Sequence, residues 1–462
     1  MNRLLRGLIP AVLAAAAAGP QAAGDVETTI VEFPDPAQFY LNTTFSVSGT
    51  VAFVPSFDQD RLWSFSVATG ALLDADGLLL PSPGTASDAY LFPGDLAAIP
   101  GWFPGQGVYV ADVSDPEDLR QAGIIPFGSG TNLQGQNIEV DDNGVVGYVA
   151  SFPDDTLYSF NVDTLGLEDP DGLALPGNPD RIALAGDRLA IVDTTFGRIL
   201  VVDVTDPAAL VLAGIIELPG ANTFNSNDNM VFAADGRTGF VSSNERVLYS
   251  FDVQTLTLPD PDGLAFGSQL YGDAIALHGS TVACIWSRGL AFVDAQDPSS
   301  LKLISNAKFG TTVAPQGSAT VAFTHDGTMA AVPVVYPGNY VYTFEVATGD
   351  QVSAPLPVDD QPNFLTILGP ADRVGVICSG SDADNVWLID GLFPADGDFD
   401  GDGDVDLEDH AVFAVCLGGP GVTTPPGECP ADEFERADID GDADVDLDDF
   451  ADFQEVFTGS ST

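Results

Sequence analysis

"RIALAGDRLAIVDTTFGRILVVDVTDPAALVLAGIIEL", residues 181–218, holds four runs rich in Val, Ile and Leu, cut apart by Gly-Asp, Phe-Gly and Asp-Pro turn signals. The runs are 181–186, 188–194, 198–204 and 210–218. Each is short, and β-branched residues punctuated by Gly, Asn, Asp or Pro about every eight to twelve residues specify strands rather than helices. Four successive strands joined by tight turns make one antiparallel sheet.

The pattern recurs along residues 40–390 with a period of about 40 to 50 residues, the range of propellers and solenoids. "RLWSFSVAT" (61–69), "GVYVADVSDP" (107–116), "TLYSFNVDT" (156–164), "RILVVDVTDP" (198–207), "RVLYSFDVQT" (246–255), "GLAFVDAQDP" (289–298), "YVYTFEVAT" (340–348) and "NVWLID" (385–390) occupy equivalent places in eight units. Odd units run on into "LLDADGLLLP", "GLEDPDGLALP" or "TLPDPDGLAF"; even units run from an Asp-Pro into "LRQAGIIPFG", "LVLAGIIELPG" or "LKLISNAKFG". A two-unit block has therefore been duplicated into four. A four-stranded sheet cannot bury both faces alone, so the units stack radially as blades. The last unit stops at Asp390 without an outer strand, and "TTIVEF" (28–33) precedes the first unit without a partner. The expectation is an all-β propeller over residues 25–390 whose N-terminal strand completes the last blade, with eight blades as the direct reading and seven as the alternative.

The even units resemble the LVIVD repeat of bacterial and archaeal surface proteins, and the odd units resemble YVTN-type propeller repeats. That resemblance implies the fold. It says little about activity, because propellers host enzymes and binding scaffolds alike.

The chain of 462 residues carries 68 Asp plus Glu against 14 Lys plus Arg, a formal charge of −54. Such a surface repels phosphate backbones and anionic lipid, which excludes nucleic-acid partners and favours solubility. At the N-terminus, Arg3 and Arg6 precede an apolar run, Leu8 to Ala18, and a small-residue site at Ala22-Ala23-Gly24. This is the pattern of a secretory signal over residues 1–24. The run falls short of the roughly 20 residues of a spanning helix, which weighs against a membrane anchor. The expected location is outside the cell or on its surface.

Export permits disulfides. Of the three connectivities four cysteines allow, the expected one joins Cys416 to Cys429, which lie close together, and leaves Cys284 and Cys378 as buried thiols in apolar strands.

Within the ring no nucleophile elbow, phosphate loop, dinucleotide fingerprint or histidine metal spacing occurs. His278 and His325 fall in turns between first and second strands. Asp88, Asn137, Asp180, Asn229, Asp273 and Asn363 each stand at or just before an inner strand. The bland reading makes them turn residues bonding their own backbone. The functional alternative makes them a polar collar around the channel, holding a cation or sugar as in lactonase-like propellers.

After a linker at residues 391–397, the segment from Asp396 to Thr462 holds 21 acidic residues and one base, Arg436. "DFDGDGDVDLED" (398–409) fits the twelve-residue calcium loop, with Asp398, Asp400, Asp402 and Asp409 as side-chain ligands, Asp404 through its carbonyl, and Asp406 directly or through water. "DIDGDADVDLDD" (438–449) repeats the offsets with Asp438, Asp440, Asp442, Asp444, Asp446 and Asp449. A helical apolar pattern follows each loop. Two Ca2+ sites are expected, the second weaker because Ala443 replaces the turn glycine at position 6.

Two loops each followed by one helix, with Asp at position 12, resemble a type I dockerin module over residues 398–462. That resemblance implies docking to a cohesin-like or cell-envelope partner. Loop positions 10 and 11, which help contact a cohesin in dockerins and are commonly Ser and Thr there, are Leu407 and Glu408, then Leu447 and Asp448. A bond between Cys416 and Cys429 would staple a domain too small for a large core, by about 3 kcal/mol on chain-entropy reasoning. Two functions fit: an exported scaffold attached through the calcium module, or a secreted propeller enzyme of lactonase, lyase or glycoside-processing type carried by it. Lack of a convergent catalytic set favours the scaffold.

Overall fold

The computed structural model describes residues 26–34 and 46–457 apart from 49, 57–58, 82–88, 93–94, 102–106, 128–132, 134–137, 142, 152–153, 220–229, 244, 267–271, 287–288, 310–319, 336–337, 359–360, 369–371, 380–384, 394–396, 398, 400–404, 428 and 440–443. The secretory signal expected at 1–24 lies outside these residues.

Eight antiparallel sheets follow one another along the chain, one for each sequence unit. In the fourth blade the strands are Pro179–Ala185, Arg188–Asp193, Arg198–Asp203 and Val211–Glu217, hydrogen-bonded in chain order from the inner to the outer edge. Its two middle strands show why they read as unbroken apolar runs. Leu189, Ile191, Leu200 and Val202 pack with Tyr148, Ala150 and Leu157 of the third blade, while Ala190, Val192, Ile199 and Val201 pack with Val241, Tyr249 and Phe251 of the fifth. Alternate side chains of one strand thus feed two different cores. Both faces are dry, and each buried aliphatic side chain contributes about 1.5–3 kcal/mol.

The ring closes as expected. Glu27–Val31 pairs antiparallel with Asn385–Asp390, matching Thr28 to Ile389 and Ile30 to Trp387, and becomes the outer strand of the eighth blade. Eight blades, not seven, result because every unit, the divergent first one included, forms its own sheet. The propeller core extends past Asp390 to Leu392 and Phe393, which are buried with Trp387 and Val374.

Odd and even blades differ in their outer strands. Even blades carry five to seven residues there, at Glu27–Val31, Arg120–Ile125, Val211–Glu217 and Lys302–Lys308. Odd blades carry two-residue strands such as Leu78–Leu79 and Leu264–Ala265. The cause lies in the Asp-x-Asp-Gly turns. Asp74 Oδ1 accepts the N–H groups of Asp76 and Gly77 at 3.1 and 3.0 Å, and Asp169 and Asp260 do the same for their own turns, which folds the chain away from the sheet.

The difference also builds a junction. Ser64, Ser159 and Ser250, all fully buried on third strands of odd blades, donate their hydroxyls to the carbonyls of Pro116, Pro207 and Pro298 in the Asp-Pro turns of the following even blades, at 2.5, 2.5 and 2.6 Å. The Asp-Pro motif of one unit is thus read by the serine of its predecessor.

The C-terminal segment forms helices α1 (Leu407–Cys416), α2 (Ala431–Ala437) and α3 (Leu447–Val456) around its own core of Phe399, Val405, Phe413, Phe434, Val445 and Phe453. The sequence reading placed one helix after each loop and none before. The structure corrects this, since α2 runs directly into Asp438. Seven residues are too few to show a helical period, and the Pro- and Gly-rich connector before them hides the start.

Candidate metal centre

The two loops are closed by the same device. Asp409 is fully buried; its Oδ1 accepts the N–H of Phe399 at 2.6 Å and its Oδ2 that of Asp406 at 2.8 Å. Asp449, equally buried, accepts the N–H of Ile439 at 2.7 Å and of Asp446 at 2.7 Å. In each loop the position-12 carboxylate therefore ties position 2 to position 9. Asp406 is also the N-cap of α1, accepting the N–H of Glu408 at 2.7 Å, and with Asp409 it completes a capping box. The spacing that suits a metal loop also starts the helix behind it.

In the second loop the carboxylates of Asp444, Asp446 and Asp449 each offer an oxygen within 4.8 Å of the others. Asp444 and Asp449 are buried and Asp446 half-buried. Two unit charges 4 Å apart repel by about 4 kcal/mol at the effective dielectric of a protein surface, so this cluster gains from a cation. An all-oxygen, carboxylate-rich donor set suits a hard divalent ion, and the residues present fit Ca2+. Asp438, half-buried, opens the same loop. Asp398, Asp400, Asp402, Asp404, Asp440 and Asp442 lie outside the described residues.

Beneath the loops sit the position-8 valines, Val405 and Val445, and the stacked rings of Phe399, Phe413 and Phe453. The Cys416–Cys429 disulfide is formed, with Cα atoms 4.9 Å apart, and Cys284 and Cys378 are buried thiols outside it. Arg436 was not singled out as functional in the sequence. Its Nη1 donates to the Phe399 carbonyl at 3.2 Å and its guanidinium lies 5.2 Å from that ring, so the lone base of the segment anchors the first loop. A base isolated among 21 acids was the available signal.

In the ring, His325 lies in a turn as expected, whereas His278 is the last residue of its inner strand, paired with Thr281 across the turn; the two connect blades. His278 Nε2–H donates to the His325 carbonyl at 2.9 Å, and the His325 backbone N–H and Nδ1 lie 3.0 and 3.3 Å from Asp372 Oδ1. Burial pushes the Asp372 carboxyl up, against the opposing pull of His325. Of the collar residues, Asp180, Asp273 and Asn363 fall at β-bulges that open the inner strands of the fourth, sixth and eighth blades. Asn363 is buried and donates to Ser379 Oγ. Asp88, Asn137 and Asn229 lie outside the described residues. Glu139, absent from the sequence reading, stands on the inner strand Ile138–Val140; burial pushes its carboxyl up to about 7, with Arg181 of the next blade acting in the other direction.

The chain is thus an eight-bladed β-propeller followed by a small helical domain. No protein-family model matches it, and no curated protein does. Among solved structures it is similar to the computationally designed Ika8 protein, with 12% identity and a TM-score of 0.55 over 80% of this chain and 100% of that one. It is also similar to a functionally unknown protein from Desulfotomaculum acetoxidans, with 14% identity and a TM-score of 0.50 over 68% of this chain and 100% of the other. At such identity the likeness speaks to fold alone.

Proposed function

We propose that this is an exported interaction protein, in which the propeller presents a binding surface and two calcium-filled loops fold a dockerin-like module that docks it to another exported protein or to the cell envelope. Export rests on the N-terminal signal pattern, and the module on the duplicated loops.

One observation carries the docking. Leu407 and Leu447, at position 10 of the two loops and the first residue of α1 and α3, are 73% and 70% exposed. Nothing in the fold requires leucine at either place, and a polar residue would start the helix as well. Two equivalent exposed leucines, one at the end of each proposed metal loop, are the apolar groups the module offers to a partner.

The test immobilises the full chain as bait against the exported proteins of its source, with calcium and with chelator, beside Leu407→Asp/Leu447→Asp. The expected partner binds the unaltered chain in calcium and is lost on chelation or in the double variant. The same proteins captured in all three conditions would remove the docking role.

A further inference from the structure

The second calcium loop is gripped from outside by the connector between α1 and α2. Gly418 and Gly419 both donate N–H to the carbonyl of Val445, at 2.9 Å each, and the N–H of Gly421 donates to Asp444 Oδ2 at 2.5 Å. Gly419 and Gly421 stand at φ +91° and +73°, with open space where a Cβ would lie. They are glycine for the left-handed backbone that aims these N–H groups, and not for lack of room.

The connector is a closed loop. It leaves α1 at Cys416 and returns at Cys429, whose sulfurs are joined, just before α2 begins. The first loop is held differently, by Arg436 of α2 on the Phe399 carbonyl. Three of the described bonds from the disulfide-closed segment converge on positions 7 and 8 of the second loop. That is the loop with Ala443 where a calcium loop turns on glycine.

We propose that the connector, closed by Cys416–Cys429, is the positioning element of the second calcium site: its N–H groups hold the Asp444 side chain and the Val445 peptide in place, offsetting the missing glycine. The inference rests on the calcium reading above. Only Oδ2 of Asp444 takes the Gly421 N–H and serves as the handle, which leaves the other carboxylate oxygen for the acidic cluster and the backbone carbonyl for the ion, as at position 7 of such loops.

Calorimetric calcium titration of the full chain tests this in two backgrounds, Asp398→Ala to leave the second site and Asp438→Ala to leave the first. Adding Cys416→Ser/Cys429→Ser is expected to weaken the second site by about 10–100-fold, the usual effect of losing a group that orients a metal ligand, and to leave the first unchanged within error. Both sulfurs lie in the core, so Gly421→Ala, which keeps the disulfide but disfavours the left-handed backbone, is measured alongside and should show the same selectivity. Equal weakening of both sites by Gly421→Ala, or no weakening of either, overturns the proposal. Absence of calcium binding in the unaltered chain removes the two-loop reading itself, and this inference with it.

Discussion

The side chain of Leu165 in the third blade lies where a Cβ on Gly123, in the outer strand of the second, would have to be. Leu256 and Gly214 repeat the relationship two blades further on. Both leucines hold positive φ, +54° and +57°, a conformation that costs a non-glycine residue about 1–3 kcal/mol. In the first and seventh blades the equivalent residues are Gly70 and Gly349, also at positive φ, facing outer strands that carry Thr29 and Ser305 at the notch position. Wherever the outer strand lacks a side chain, its neighbour supplies a leucine. Wherever it has one, the neighbour is glycine.

Gly123→Ala is therefore expected to destabilise the propeller by about 1–3 kcal/mol through overpacking, and adding Leu165→Gly should recover most of the loss. Denaturant unfolding of the single and double variants measures the coupling. Simple additivity would mean that the leucine and the notch do not act on each other.

The alternate junction gives a second expectation. Ser159→Ala removes the donor to the carbonyl of the half-buried Pro207, which costs about 0.5–1.5 kcal/mol. The melting temperature should fall, with no change in the calcium affinity of the C-terminal loops. A variant as stable as the parent would show that the bond is replaced.

Those two junctions mark where sequence reasoning stops. The strands were legible because a sheet buried on both faces needs unbroken apolar runs such as "LAIV" (189–192), and closure was legible because the eighth unit lacks one strand and the N-terminus supplies it. The odd-even alternation was visible as text, but its meaning was not, since Ser159 meets Pro207 across 48 residues. Asp409 and Asp449 were readable as loop ends from their offsets, whereas their grip on backbone N–H groups needed three dimensions. Glu139 and Arg181 escaped notice because neither sits in a motif; only the packing of adjacent inner strands brings them together.

Glu139 predicts a pH effect of definite sign. Unfolded, its carboxyl ionises near the ordinary 4.5, and folded near 7. Below the lower value it is protonated in both states and has no effect. Between the two, the folded chain holds a proton the unfolded chain has lost, so stability falls as pH rises, and above 7 the penalty is constant. Glu139→Gln should thus match the parent in melting temperature at pH 4 and exceed it at pH 8. A variant less stable than the parent at pH 8 would show that the electrostatic attraction of Arg181 outweighs desolvation.

Calcium removal should separate the two parts of the molecule. The propeller derives its stability from interblade cores that contain no metal-loop residue, such as Leu189, Ile191 and Tyr148, whereas the helical domain has one small core roofed by clustered carboxylates. Scanning calorimetry with chelator should then leave the main transition in place and lower or abolish a smaller one, along with the helical signal in circular dichroism. Asp449→Asn is expected to act on the smaller transition in both conditions. It removes charge from the metal cluster, and it swaps one acceptor of the Ile439 and Asp446 N–H groups for an amide donor, so the loop loses its closure even without the ion. A variant that behaves like the parent in chelator, differing only when calcium is present, would confine Asp449 to metal binding and deny it the structural half of its role.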